Sequence, residues 1–246
     1  AKYKDCFAGT LADIGVFSLN YHKHIHTGEG GILVTNDDTY AERLQLIRNH
    51  AEAVVEGKGV TDLSNMIGFN FRMGEIEAAI GIEQLKKLDK LTSRMTEVGD
   101  RLSAGLKNLR GIRTPVVKDS CTHVYYAYPL LLDVEKLKLS RIVIYNSLVA
   151  EGVPVGQGYT NIHLLPLYQN KIAYGKKGFP WNSDIYKGMV KYDKGICPVA
   201  EELHEKKIIS IPICMYEWEN KDIDLVVKAF HKVWSQLDEL QLLLDE

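Results

Sequence analysis

The chain of 246 residues carries 30 Lys and Arg against 32 Asp and Glu, a formal net charge of -2. Charges that nearly cancel, with no run of five or more of one sign, give no electrostatic reason to expect nucleic acid or an anionic membrane as partner. No apolar stretch approaches the roughly 20 residues that cross a bilayer, and Cys6, Cys121, Cys197 and Cys214 form no C-x-x-C pair, which points to isolated thiols of a reducing cytoplasm.

Residues 14–19, IGVFSL, form a short apolar run of the kind that makes a buried strand. Residues 30–37, GGILVTND, β-branched and closed by turn residues, predict a second one. The polar loop between them carries Lys23. From Asp37 the stretch DDTYAERLQLIRNHA sets Leu44 and Ile47 at helical spacing behind an acidic start, which suits the positive end of a helix dipole. Residues 54–65, with Gly57, Gly59, Asp62, Ser64 and Asn65, read as a loop. The longest helical pattern follows, from Gly68 to Leu109, with Ile76, Ala79, Ile80, Ile82, Leu85 and Leu88 at three- and four-residue steps. Gly81 inside it costs about 1 kcal/mol against alanine and so marks a close approach. Gly99 is the candidate for a bend.

Beyond Gly111 and Pro115 the texture is mixed α and β. THVYYAYPLLLD (122–133) reads as a strand with aromatic alternation. LSRIVIYNSLVAEG (139–152) reads as a helix with Ser140 as N-cap and Gly152 just past its end. VPVGQGYTNIHLLPLY (153–168) is extended and broken by glycine and proline. KIISIPICM (207–215) predicts a strand, and DIDLVVKAFHKVWSQLDELQLLL (222–244) a final amphipathic helix. A boundary near 108–116 gives residues 1–110 as one domain with its connecting helix, and 111–246 as a small α/β domain.

Three chemistries compete for FSLNYHKHIHTGEGG, residues 17–31. On a strand, His22, His24 and His26 would face one side, as metal ligands do, yet no carboxylate partner motif accompanies them. The TGEGG turn matches neither the P-loop nor the dinucleotide fingerprint. The third chemistry needs one lysine that a strand and a loop can partly desolvate, because burial disfavours the ammonium form and frees the amine as a nucleophile.

The pattern F-S-x4-K-x4-G-E-G-G, from Phe17-Ser18 through Lys23 to Gly28-Glu29-Gly30-Gly31, resembles the signature of the DegT/DnrJ/EryC1/StrS family, pyridoxal-phosphate-dependent sugar aminotransferases of the aspartate aminotransferase fold. AKYKDCFAGTLADIGVFSL, GFNFRMGEIEAAIGIEQLKKLD, IHLLPLYQ and ISIPICMYEWENKDIDLVVKAF resemble further family stretches in the same order, over the whole chain. The resemblance implies an α/β fold of type I, with part of the large domain followed by a small C-terminal domain. It makes Lys23 the catalytic residue that carries pyridoxal 5'-phosphate as a Schiff base and later moves the proton. It gives Ser18 to the cofactor phosphate and Asn70 to the phosphate of the neighbouring subunit, hence a homodimer with shared active sites. His163 resembles the small-domain histidine near the substrate, with a packing role as the alternative. Arg72 is a phosphate or interface contact, or a surface ion pair. His22 departs from the small or polar residue usual before the lysine.

By the same resemblance the substrates are an amino donor, glutamate or glutamine, and a keto-sugar that is nucleotide-linked; no metal is implied. Family members that act as dehydratases carry histidine at the lysine position, so Lys23 favours transamination. A dehydratase, or a non-catalytic binding member of the same fold, are the rival readings. By register, the aspartate that pairs with the pyridine nitrogen falls before Ala1, so the chain reads as the C-terminal part of a longer protein.

Overall fold

The computed structural model describes residues 1–52 and 59–245. Of the loop expected at 54–65, the part that includes Gly57 lies outside the described residues. The chain divides into two compact units. The first comprises residues 1–98, 116–126 and 213–217, and the second comprises 99–115, 127–212 and 218–246.

In the first unit, β1 (Lys2–Tyr3) and β2 (Cys6–Phe7) form a small hairpin. Strands β3 (Gly15–Ser18) and β4 (Gly31–Val34) pair antiparallel, with Gly15 opposite Val34 and Ser18 opposite Gly31. Both strands form where their composition predicts them, but they are not buried. Val16 is 69% exposed and Leu33 is 50% exposed, the two strands making a two-stranded sheet among the described residues. Helix α1 (Asp38–Arg48) starts as expected: Asp37 is its N-cap, and its carboxylate accepts from the Tyr40 amide at 2.9 Å.

The long helical pattern resolves into two helices, α2 (Glu75–Leu85) and α3 (Leu88–Leu106), separated at Lys86 and Lys87. The apolar steps run through the break without a signal, and the two segments differ in burial. Met95, Val98, Leu102 and Leu106 of α3 are buried, whereas Ile76, Ile80, Ile82 and Leu85 of α2 are exposed. Gly99 produces no bend that ends α3. Gly81 does mark a close approach, since a Cβ there would lie 3.2 Å from Cγ2 of Thr27. Helix α2 therefore rests against the loop that carries Lys23.

The second unit is built on an antiparallel sheet in the order β5 (Ile112–Arg113), β6 (Tyr128–Leu132), β7 (Ile208–Ile211). Tyr128, Leu130 and Leu132 alternate inward along β6, as period two requires, and Ile209 and Ile211 do so from β7. Short α4 (Val134–Leu137) leads to α5 (Arg141–Ala150), which packs against β7 and, further on, against the long helix near the C-terminus. Ser140 occupies the N-cap position of α5 with extended backbone, but its hydroxyl makes no capping bond. Gly152 follows the helix with φ +83°, the left-handed conformation glycine tolerates best.

The extended stretch contains a turn of 3₁₀ helix (Ile162–Leu164) and α6 (Pro166–Gln169). Helix α7 (Pro198–Glu202) continues into one turn of π-helix (Leu203–Lys207) before β7. The predicted final helix divides at Gln236 into α8 (Asn220–Ser235) and α9 (Leu237–Asp245), and α8 opens with a capping box of Glu219 and Asp222. Ile144, Leu148, Phe230 and Val233 fill the space between helices and sheet. Among the described residues, no helix is long and apolar enough to cross a membrane.

Candidate active site

The loop bearing Lys23 is closed at its base by backbone pairing that outlasts β3 and β4. Leu19 donates to the Gly30 carbonyl at 2.9 Å, and Thr27 donates to the Leu19 carbonyl at 3.0 Å. Side chains add a second closure: Asn20 Nδ2 donates to Glu29 Oε1 at 2.7 Å, and the Thr27 hydroxyl donates to the Glu29 carbonyl. Gly30 is required here, because a Cβ would lie 2.6 Å from Thr27 Oγ1. The GEGG turn thus closes the loop from its exposed side, and Thr27 just before it is buried.

On this base Lys23 is half-buried, and its Nζ lies 3.8 Å from the centroid of the Tyr126 ring, a cation–π distance. The three histidines go separate ways. The His22 ring lies 4.9 Å from Tyr21 and 5.8 Å from Tyr126. His24 Nε2 is bonded to the Val124 carbonyl at 2.7 Å, and His26 Nδ1 accepts from the Gly28 amide. Among the described residues, no group of three or more His, Cys, Asp or Glu is placed to hold a metal ion.

Burial holds His24 below the ordinary imidazole value; its bond to Val124 opposes that, and the nearby positive charges of Lys23 and His123 add to it. His123 is lowered too, mainly by burial. Burial also pushes the Cys214 thiol up to about 11, against a small opposing pull from Lys23. Burial thus shifts His24, His123 and Cys214, all near the lysine loop, toward their neutral forms.

Ser18 ends β3 with its side chain exposed, and its Oγ accepts from the Asn20 amide at 3.3 Å. Its hydroxyl proton has no acceptor among the described residues. Asn70 sits on the segment that pairs with the end of α1, in a backbone bridge to Asn49. It is exposed, and its carboxamide has no hydrogen bond among the described residues. Arg72 donates to the Asn49 carboxamide and makes no ion pair among the described residues. Lys23, Ser18, Asn70 and Arg72 all belong to the first unit. His163 belongs to the second unit, where its Nε2 meets Glu201 Oε1 at 2.8 Å.

The sequence profile of the DegT/DnrJ/EryC1/StrS aminotransferase family matches residues 1–211. The chain belongs to that family. A relative in Methanocaldococcus jannaschii, the uncharacterized protein MJ1066, is 30% identical over 243 residues, which cover 96% of this chain and 58% of that protein. GDP-perosamine synthase of Escherichia coli O157:H7 is 32% identical over 171 residues, covering 70% of this chain and 44% of the enzyme. Among solved structures, S. venezuelae DesV in complex with a ketimine intermediate superposes with a TM-score of 0.73 at 23% identity, over 94% of this chain and 54% of that one. The chain spans about half the length of the curated relatives it matches. The α/β fold is the type I aminotransferase fold of the DegT/DnrJ/EryC1/StrS family.

The residues of this loop suit the family's cofactor. Pyridoxal phosphate presents an aldehyde and a phosphate, and the loop presents an amine free of ion pairs among the described residues, with Ser18 five residues before it. Asn70 adds two N–H donors that are uncommitted among the described residues. The loop's acidic side chain, Glu29, is tied to Asn20. Tyr126 was missed as a site residue by sequence reasoning, because THVYYAY reads as the beginning of a strand. Strand β6 starts only at Tyr128, which leaves residues 122–126 as the wall beside Lys23. Glu201 was missed as well, since nothing in PVAEE separates it from a solvated acid.

Proposed function

We propose that this chain carries the catalytic lysine of a pyridoxal-phosphate-dependent aminotransferase, which moves an amino group from glutamate or glutamine to a nucleotide-linked keto-sugar in cytoplasmic amino-sugar biosynthesis. The observation that carries this reading is the setting of Lys23, half-buried with its Nζ against the face of Tyr126, on a loop closed by Asn20 and Glu29. Relatives that are GDP-perosamine synthases and UDP-4-amino-4,6-dideoxy-N-acetyl-beta-L-altrosamine transaminases support the nucleotide-sugar class.

In this reading pyridoxal phosphate supplies a carbonyl for an amine to condense with and a ring that takes up the electrons of a broken C–H bond. Lys23 supplies the anchoring amine and, when free, the base that carries the proton at Nζ. The negative face of the Tyr126 ring attracts that amine in its protonated form. His24, tied to Val124 and held neutral by burial, adds no repelling charge beside it. Ser18 donates to the phosphate. Asn70 donates to the phosphate of a second subunit, so the working form is a homodimer with shared sites. His163 contacts the sugar.

The test is covalent trapping. In protein supplied with pyridoxal phosphate, borohydride reduction followed by peptide mapping is expected to find the reduced pyridoxyl group on Lys23, and Lys23→Ala is expected to remove it. Folded, cofactor-supplied protein with unmodified Lys23 overturns the reading. Transfer of ¹⁵N from labelled glutamate to the sugar separates transamination from dehydration.

A further inference from the structure

Asn20 stands where the chain leaves β3 for the lysine loop, just past the buried Leu19. Each of its polar atoms is engaged within that loop. Its amide donates to Ser18 Oγ at 3.3 Å, and its carbonyl accepts from the Lys23 amide at 3.0 Å. Its Oδ1 accepts from the His22 amide at 3.5 Å, and its Nδ2 donates to Glu29 Oε1 at 2.7 Å. One residue therefore touches both Ser18 and Lys23, and its side chain is fastened across the loop to the GEGG turn.

These bonds differ in strength. The contact with Glu29 is short and its acceptor is a carboxylate, whereas those at 3.3 and 3.5 Å are long and weak. The carboxamide is thus the firmest hold on residue 20. Its neighbour Leu19 is held by the main chain, paired with Gly30 and with Thr27. Residues 21–26 have less support. Among the described residues their main chain makes one backbone-to-backbone bond, from the Lys23 amide to the Asn20 carbonyl. The lysine backbone is therefore referred to Asn20, and Asn20 to Glu29.

Pyridoxal phosphate carries its aldehyde and its phosphate on neighbouring positions of one rigid ring. Two protein groups can hold both ends at once only at one separation. The second contact adds fully to the first only when that separation is already set. Ser18 ends a strand and Lys23 stands in a turn of the loop, so strand pairing alone does not fix the distance between them. Asn20 is the residue bonded to both.

We propose that Asn20 is a positioning residue: its carboxamide, pinned on Glu29, keeps the Ser18 hydroxyl and the Lys23 amine at the separation that lets one pyridoxal phosphate meet both. This deepens the aminotransferase reading and rests on it for the identity of the cofactor. Asn20 acts through those two groups, so its loss affects a ligand that uses both and spares one that uses the lysine alone.

Pyridoxal, which has the aldehyde and lacks the phosphate, separates the two cases. The full chain is titrated with pyridoxal and, in parallel, with pyridoxal phosphate. Each sample is reduced with borohydride, and the label on Lys23 is quantified by peptide mass. In the natural chain the phosphate is expected to lower the midpoint of labelling. Asn20→Ala is expected to cut that advantage about tenfold, the loss of about one hydrogen bond to a charged group, with the pyridoxal midpoint unchanged. Asn20→Asp sets a carboxylate against Glu29 and is expected to cut it at least as much. Asn20→Asp combined with Glu29→Gln puts a donor opposite an acceptor again, at the same net charge, and is expected to recover it. An unchanged advantage in Asn20→Ala, an equal loss for both aldehydes, or no recovery in the combined variant overturns the positioning role. Lys23 unlabelled by either aldehyde in the natural chain overturns the aminotransferase reading and this proposal with it. A phosphate advantage that survives every variant overturns this proposal alone.

Discussion

The Nζ of Lys23 stands 3.8 Å from the centre of the Tyr126 ring, and the segment that carries this ring also binds the next histidine through the Val124 carbonyl. The lysine and the wall it faces, about a hundred residues apart in sequence, are therefore joined at two points. The ring face attracts a cation without a counter-charge, and among the described residues no carboxylate pairs with the amine.

Tyr126→Phe keeps the ring and is expected to bind pyridoxal phosphate as the natural chain does. Tyr126→Leu removes a contact worth about 0.5–1 kcal/mol that favours the uncondensed ammonium, and is expected to strengthen trapping on Lys23 a few-fold. Titration with pyridoxal phosphate, read by borohydride reduction and peptide mass, checks this. Equal gain in both variants would assign the effect to the hydroxyl instead.

Cys214 donates weakly to the Tyr125 carbonyl, and burial raises its thiol to about 11. At pH 8 only about one molecule in a thousand then carries the reactive thiolate at this position. Iodoacetamide is expected to label the exposed Cys6 and Cys197 well before Cys214, and Cys214 labelling is expected to keep rising with pH past 9. Peptide mass spectrometry over a time course measures the order.

The sequence made the closure of the loop legible but not its surroundings. Lys23, Ser18 and the GEGG turn lie within fifteen residues, so one motif holds them, and Gly30 is needed where Thr27 leaves no room for a Cβ. Tyr126 and Glu201 meet residues of distant segments, and residue type alone does not separate them from a strand aromatic and a surface acid. The strands at 15–18 and 31–34 show the same limit. Alternation and branching fix that a strand forms, but burial depends on what lies over it, and Val16 and Leu33 stay largely exposed. The break at Lys86 and Lys87 left no trace because lysine is a good helix former and the apolar spacing runs on.

His24 gives a pH dependence whose sign is fixed by its burial. Its folded value is depressed below 6.5, so below that pH the unfolded chain binds more protons than the folded one. The contribution is complete above 6.5 and is lost as pH falls through the folded value. Urea midpoints are expected to fall on acidification below pH 6.5, and His24→Gln, which can still donate to Val124, is expected to flatten that part of the curve. A curve of the same slope in His24→Gln would place the titrating group elsewhere.

Arg141 is a half-buried cation of the second unit. Its Nη1 donates to the Gln157 and His204 carbonyls and, at 3.3 Å, to the Ile208 carbonyl, which ties the first turn of α5 to both segments beside β7. Burial draws its guanidinium below the ordinary value, and its Nε is buried with no partner among the described residues. Hydrogen bonds from a charged group contribute about 1.5–3 kcal/mol each, and truncation strands the carbonyls they served. Arg141→Ala is expected to destabilise the chain by about 3 kcal/mol, read as a lower urea midpoint at unchanged slope. Arg141→Lys keeps the charge but reaches fewer carbonyls with one ammonium and is expected to fall between the two. Because His204 and Gln157 flank the segment that carries His163, the same variants are expected to broaden the NMR signals of the His163 ring before the unit unfolds.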